Sequence, residues 1–145
     1  MNWTIHIYWL LIVAGVGQAI LCLASPAIPA VLGWKGKLAV LPKLMRQVYW
    51  TYACYILGAH VCFAILSLAA PRWLMQGDGL AMVVTGFIAL WWGARLALHL
   101  TTFDTEEVPE GGWYKAAEWG LGLLFTALTL VYVLAFIFNL GGGGR

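Results

Sequence analysis

The chain has 145 residues, of which 63% are hydrophobic and 10% are charged, whereas a soluble globular protein carries about 25% charged residues. A mean hydropathy of +0.86 excludes a disordered chain, and a protein this small could not hide so much apolar surface from water. The net charge of +2 is too small for nucleic-acid binding. We therefore expect an integral membrane protein whose first partner is the lipid bilayer, with no nucleic-acid partner.

The first apolar segment covers about residues 5–25, and no charged residue occurs before Lys35. This segment reaches the roughly 20 residues that a helix needs to cross a bilayer. Because no basic segment precedes it, we expect a retained membrane span and not a signal peptide. Pro26 and Pro29 are expected to end it, since both cannot lie inside one regular helix.

Three further apolar segments follow, each long enough to span. An open sheet leaves backbone groups unpaired in lipid, so all four segments are predicted to be helices. We expect one domain, 1–145, that forms an all-α bundle of four transmembrane helices with short loops. Residues 104–118 are predicted to form an acidic loop, and the glycine-rich residues 141–145 a flexible tail. The four predicted spans are about residues 5–25, 47–71, 80–103 and 119–140.

The orientation of the bundle follows from its basic residues. One short connection contains Lys35, Lys37, Lys43 and Arg46, which are four of the eight Lys and Arg residues. Such loops stay in the cytoplasm. The sequence therefore predicts a multi-pass protein of the inner (plasma) membrane with both termini outside, that is, N-out/C-out.

Arg95 is the only charged residue inside the third predicted span. A charge at depth costs about 2.5 to 3.5 kcal/mol on insertion scales and usually faces the bundle interior. The plainer alternative is that the long Arg95 side chain reaches back to the cytoplasmic interface. If Arg95 instead binds a ligand inside the bundle, other polar groups should lie at a similar depth.

Counting along the spans places several polar and aromatic groups near the level of Arg95. Together they are predicted to line a pocket open to the inner leaflet, where arginine would hold a carboxylate or phosphate group. The alternative is that these groups only form hydrogen bonds between helices and so fix the packing. The predicted ligand-binding residues are Gln18, Tyr55, His60, Trp92, Arg95, His99 and Thr126.

Motifs for catalysis and for metals are missing from the sequence. The three cysteines show neither Cys-x-x-Cys nor zinc spacing, so we expect no metal site and no cofactor. His60 and His99 lie at different depths and could not ligate one haem within one chain, although a haem shared between subunits stays open. Neither a nucleophilic triad nor a phosphate-binding loop is found.

Three hypotheses remain. The first is a protein without catalysis that binds a lipid-like or anionic amphiphile near the cytoplasmic leaflet, or acts as an accessory subunit of a membrane enzyme. The alternative is a small membrane enzyme acting on a lipid or quinone, with His60 or His99 as general base. The third is a structural subunit of a homo-oligomer or larger membrane complex.

The length and four-span plan are similar to those of small bacterial membrane proteins that include the DoxX-like families, but no motif is shared, and we assign no family from the sequence.

Overall fold

The computed structural model describes residues 3–102 and 112–143. Of the residues in those two ranges, 87% are helical and none lies in a strand. The helices are α1 (Trp3–Ala24), α2 (Ala27–Val31), α3 (Trp34–Ala39), α4 (Lys43–Ala69), α5 (Gly79–Thr101) and α6 (Gly112–Leu140), with one 3₁₀ turn (Trp73–Met75) before α5.

Four helical segments are long and apolar enough to cross a membrane, namely α1 continued by α2, then α4, α5 and α6. The prediction of an all-helical chain with four such helices is confirmed. Most large apolar side chains on these helices point away from the core; Leu23, for example, is 83% exposed and Leu90 is 76% exposed. A surface of this kind is typical of helices that contact lipid.

The four long helices pack as two antiparallel pairs, α1 with α4 and α5 with α6, and α1 also contacts α6. Glycines permit close approach within each pair. A Cβ atom on Gly15 would lie 2.8 Å from the Leu68 Cγ, and one on Gly86 would lie 3.0 Å from the Phe136 ring. In contrast, α4 and α5 meet chiefly through aromatic side chains, including Phe63 against Trp91 with ring centroids 5.7 Å apart.

The bundle has two different ends. The Trp3 end contains the start of α1, the end of α4, the start of α5 and the end of α6. The Lys43 end contains α2, α3 and the opposite ends of the four long helices.

Several helix boundaries differ from those predicted. α4 begins at Lys43 and α6 at Gly112, each several residues before the predicted span, because hydropathy marks the apolar part of a helix and not the end of its hydrogen-bond ladder. As expected, α1 ends before Pro26. Pro29 lies in the first turn of α2, where its missing N–H costs nothing. Of the predicted acidic loop, residues 104–111 lie outside the described residues.

The structure describes the glycine-rich segment as far as Gly143, where it forms a turn at the end of α6; the flexibility of residues 141–145 stays a prediction. The amide of Gly143 donates to the Phe138 carbonyl at 3.0 Å, and Gly142 and Gly143 have left-handed φ angles of 81° and 69°. These features are those of a helix C-cap. The cap packs on Gly77, whose φ is also positive and whose Cβ, if present, would lie 2.5 Å from Gly142 backbone atoms.

Candidate functional site

One buried polar cluster joins three helices through the hydroxyl group of Tyr132 on α6. Gln18 Nε2 on α1 donates a hydrogen bond to this hydroxyl at 2.6 Å, and the Ser67 hydroxyl on α4 forms a second hydrogen bond with it. All three side chains are completely buried. Gln18 Oε1 finds no hydrogen-bond partner among the described residues. The cluster has the geometry of interhelical hydrogen bonding, in which polar groups satisfy one another inside lipid.

A second buried polar group, Asn139 near the end of α6, ties the Trp3 end together. Its Nδ2 donates to the Leu74 carbonyl at 2.8 Å, and its Oδ1 accepts from the Gly77 amide at 2.9 Å. Next to this turn, the Asp78 carboxylate caps α5 by accepting from the Ala81 amide at 2.7 Å. The Asn139 side chain therefore satisfies two backbone groups, the Leu74 carbonyl and the Gly77 amide, of the connection that leads into α5.

Between α4, α5 and α6, a stack of rings surrounds His60. His60 Nε2 accepts a hydrogen bond from Trp91 Nε1 at 3.1 Å, and the His60 ring stacks on Trp92 at a centroid distance of 4.8 Å. Trp92 in turn stacks on Phe125 at 5.7 Å. Trp92 is fully buried, and its Nε1 is without a partner in the part of the chain that is described. The stack fills the space between three helices with rigid rings.

Arg95 and His99 meet at the same ring, Phe125, toward the Lys43 end. The Arg95 guanidinium carbon lies 5.7 Å from the Phe125 centroid, within the range of a cation–π interaction. The His99 ring stands edge-on to Phe125 at 5.6 Å. Gly122 leaves room for this histidine, since a Cβ there would lie 3.3 Å from His99 Nε2. Both Arg95 and His99 are half-buried, so together they form a partly accessible polar surface on the α5–α6 pair.

The structure brings together four of the seven residues that the sequence predicted as ligand-binding, since His60, Trp92, Arg95 and His99 are connected through Phe125.

The other three predicted residues lie elsewhere. Gln18 belongs to the Tyr132 cluster. Tyr55 is 72% exposed on the outer face of α4. Thr126 is exposed and donates to the Gly122 carbonyl of its own helix at 2.8 Å. Depth along a span was predictable, but the rotation of each helix about its axis was not, and rotation decides which side chains face inward.

Sequence reasoning missed the residues that connect these groups. Phe125 gives no signal in an apolar span, because nothing distinguishes it from its phenylalanine and leucine neighbours. Trp91 lies four residues before Arg95 and so shares its helix face, but the hydrogen bond of Trp91 to His60 depends on the tertiary structure. Tyr132, Ser67 and Asn139 are polar residues in apolar runs, and that signal could have identified them.

Two open clefts lie outside this group. The first, which we call the basic cleft, has a volume of about 650 Å³ at the Lys43 end. The second lies at the Trp3 end beside Arg72, with a volume of about 440 Å³. None of the seven predicted residues lines either cleft. The basic cleft is lined by Lys35, Ala39, Arg46, Gln47, Trp50 and Thr51.

Among the described residues, no group of three or more His, Cys, Asp or Glu side chains could hold a metal ion. No family model matches the chain, and no curated protein or solved structure shows significant similarity to it.

Proposed function

We propose that this chain is a multi-pass protein of the inner (plasma) membrane that has no catalytic activity of its own and binds a lipid-like, anionic amphiphile near the cytoplasmic leaflet. Arg95 is the anchor for the anionic group. The observation that carries the proposal is the half-buried guanidinium of Arg95 on the Phe125 ring, inside a helix of membrane-spanning length.

The proposed orientation is N-out/C-out, with the Lys43 end in the cytoplasm. The positive-inside rule supports it, since the basic residues on α3 and at the start of α4 belong to this end. Exposed tryptophans occur at both ends, as expected for the two interfacial belts. They are Trp3 and Trp73 at the Trp3 end, and Trp113 and Trp119 at the Lys43 end.

Single-cysteine variants test this orientation in whole cells, in a background from which the native cysteines have been removed. A cysteine at Gln76 should react with a membrane-impermeant maleimide from outside, whereas one at Lys37 should react only after the cells are permeabilised. The opposite labelling pattern would overturn the orientation and, with it, the cytoplasmic position of Arg95.

Three features support an anionic ligand at Arg95. A guanidinium presents several donors in one plane and can bind a carboxylate or phosphate through two bonds. His99 adds a nitrogen-bearing ring to the same surface. The apolar floor formed by Phe125 and Trp92 lowers the local dielectric, which strengthens the interaction of the cation with an anion.

Native mass spectrometry of the protein, extracted gently from its host membrane, tests the proposal. A reproducible extra mass of lipid size is expected on the wild-type protein and on Lys115→Ala, which removes an exposed positive charge from the same end. Arg95→Ala should lose this mass while keeping its helical circular dichroism spectrum. Arg95→Lys should retain little of it, because an ammonium cannot form the two parallel bonds.

Two results would overturn the proposal. One is an adduct that Arg95→Ala retains unchanged. The other is a bare subunit found only within a larger complex, which would favour the accessory role.

The position of His60 argues against this residue as the general base of a membrane enzyme. Its Nε2 lone pair already accepts the Trp91 hydrogen bond, and its ring is covered by Trp92. An enzymatic function would therefore depend on His99. Turnover of a lipid or quinone that is lost in His99→Gln and kept in His60→Gln would support that function over the non-catalytic one.

A further inference from the structure

The basic cleft lies between α3 and the first turns of α4, at the Lys43 end. The turn into α3 uses Gly33, which has a left-handed φ of 63°. An aromatic contact joins the two helices, because Trp34 of α3 meets Tyr49 of α4 edge-on at 5.7 Å; Tyr49 in turn meets its neighbour Trp50 edge-on at 5.7 Å. Lys35, next to Trp34 on α3, is thereby held on the same cleft as residues of α4.

The walls of the cleft are cationic and rich in hydrogen-bonding groups. Lys35 comes from α3, and Arg46 and Gln47 come from the start of α4. The Thr51 hydroxyl donates to the Gln47 carbonyl at 2.9 Å, so its position is fixed. No carboxylate from the described ranges 3–102 and 112–143 lines the cleft. Among the described residues, its walls therefore contribute two cations, Lys35 and Arg46, and no carboxylate.

The cation of Arg46 does not help α4 to form. It lies in the first turn, where the helix dipole favours negative charge, and this turn contains no acidic residue. Arg46 is nevertheless half-buried against the cleft. An anion in the cleft would be attracted both by Arg46 and by the N-terminal end of the α4 dipole.

We propose that the basic cleft is a second binding site, which takes the phosphate group of an anionic phospholipid headgroup between Lys35 and Arg46. Trp50 lies at the side of the cleft, where an indole suits the glycerol and ester region of the same lipid. The proposal relies on the membrane placement argued above, but it does not rely on Arg95.

The size and setting of the cleft fit this occupant. A volume of about 650 Å³ lies within the range of about 300–1,000 Å³ that is usual for small-ligand sites. The cytoplasmic leaflet is rich in anionic lipid, which basic residues near its surface attract. Inorganic phosphate would satisfy the same two cations, so the experiment has to separate the two sources of phosphate.

The test is a native mass spectrometry titration of the purified full-length protein in detergent. The added probes are short-chain phosphatidylglycerol, phosphatidylcholine of the same chain length, and inorganic phosphate. We expect phosphatidylglycerol to bind the wild-type protein in preference to phosphatidylcholine. Lys35→Ala/Arg46→Ala should weaken phosphatidylglycerol binding about thirtyfold, since two basic residues at about 1 kcal/mol each contribute about 2 kcal/mol to the attraction of anionic lipid.

The matched control is Lys37→Ala/Lys43→Ala, which removes the same two charges from the same connection but not from the cleft walls. It should bind within about twofold of wild type, because only charges inside the cleft contact the phosphate. Equal losses in the two double variants would overturn the proposal and indicate general attraction to a basic loop. If millimolar inorganic phosphate displaces phosphatidylglycerol as strongly as unlabelled phosphatidylglycerol does, free phosphate and not the lipid would be the occupant of the cleft.

The same titration separates this site from the one proposed at Arg95. The basic cleft is open, so its lipid should be removed by repeated detergent exchange, and endogenous adducts are compared after this step. Arg95→Ala should then lose the remaining endogenous adduct but keep its preference for added phosphatidylglycerol. Loss of the added-lipid preference in Arg95→Ala would contradict an independent cleft. If Lys35→Ala/Arg46→Ala loses the preference for added phosphatidylglycerol but keeps the endogenous adduct, the result would support lipid binding in the cleft. It would do so even if the Arg95 proposal failed on other grounds.

Discussion

The Trp3 end and the Lys43 end of the bundle both contain polar side chains within or beside apolar helices, but their surroundings differ. At the Trp3 end, the Asn139 side chain is buried and bonded to backbone groups of the connecting turn. Toward the Lys43 end, Arg95 and His99 are half-buried against an aromatic ring, and the basic cleft is open. A buried polar group bonded to backbone groups fixes packing, whereas a basic side chain that is partly accessible can also contact a ligand.

This comparison predicts that substitutions at the Trp3 end change mainly the free energy of unfolding. Substitutions toward the Lys43 end should change mainly ligand binding.

The largest effect on stability is expected at Gly77. Gly77→Ala should lower the free energy of unfolding by about 3 kcal/mol, because the side chain meets both a left-handed φ of 70° and the Gly142 backbone. Denaturation by sodium dodecyl sulfate in mixed micelles measures this change. The matched control is Gly36→Ala at the Lys43 end, where a Cβ meets nothing within 4 Å. Equal effects of the two substitutions would contradict the comparison.

Asn139→Leu is expected to cost about 2 kcal/mol, since it leaves the Leu74 carbonyl and the Gly77 amide without their partner. The same unfolding assay applies. Thr126→Val serves as control, because Thr126 is exposed and bonds only to its own helix; its effect should stay within about 0.5 kcal/mol. A smaller loss in Asn139→Leu than in this control would show that the turn does not depend on the amide.

A smaller effect is expected in the Tyr132 cluster. Tyr132→Phe should lower stability by about 1 kcal/mol, because Gln18 and Ser67 both lose a partner. A double-mutant cycle with Ser67→Ala should give a coupling energy of about 0.6 kcal/mol, the average for such bonds in membrane bundles. Additive effects of the two substitutions would mean that this hydrogen bond contributes no stability.

The smallest effect on stability is expected in the basic cleft. Lys35→Ala/Arg46→Ala should change the free energy of unfolding by less than about 0.5 kcal/mol, because exposed or half-exposed cations away from the core contribute little. Unfolding is measured without added lipid and again with phosphatidylglycerol. Added lipid should stabilise the wild-type protein more than this variant. A large loss of stability without lipid would mean that the two cations support the fold.

Part of the candidate site was predictable from the sequence. Arg95 stands out as the only charge inside its span, and its spacing from His99 puts both on one face of α5. His60 could be assigned to the depth of the two adjacent tryptophans. The role of Gln18 could not be assigned, because hydrogen bonding to Tyr132 and binding of a ligand require the same residue type. Tyr55 was predicted to face a pocket but lies on the outer face of α4, because a polar aromatic residue in an apolar helix can also face outward.

The sequence by itself determined that the chain forms four apolar helices long enough to cross a membrane. The length and hydropathy of each apolar segment can be compared with the thickness of a bilayer without knowing the neighbouring helices. The sequence also determined where Pro26 ends the first helix and which connection holds the basic residues. Only the tertiary structure decided that Phe125 supports both Arg95 and His99, that Gly142 and Gly143 pack on Gly77, and that Lys35 shares a cleft with Arg46. These contacts depend on how each helix is rotated and paired, and four spans of nearly uniform apolarity carry little information about rotation.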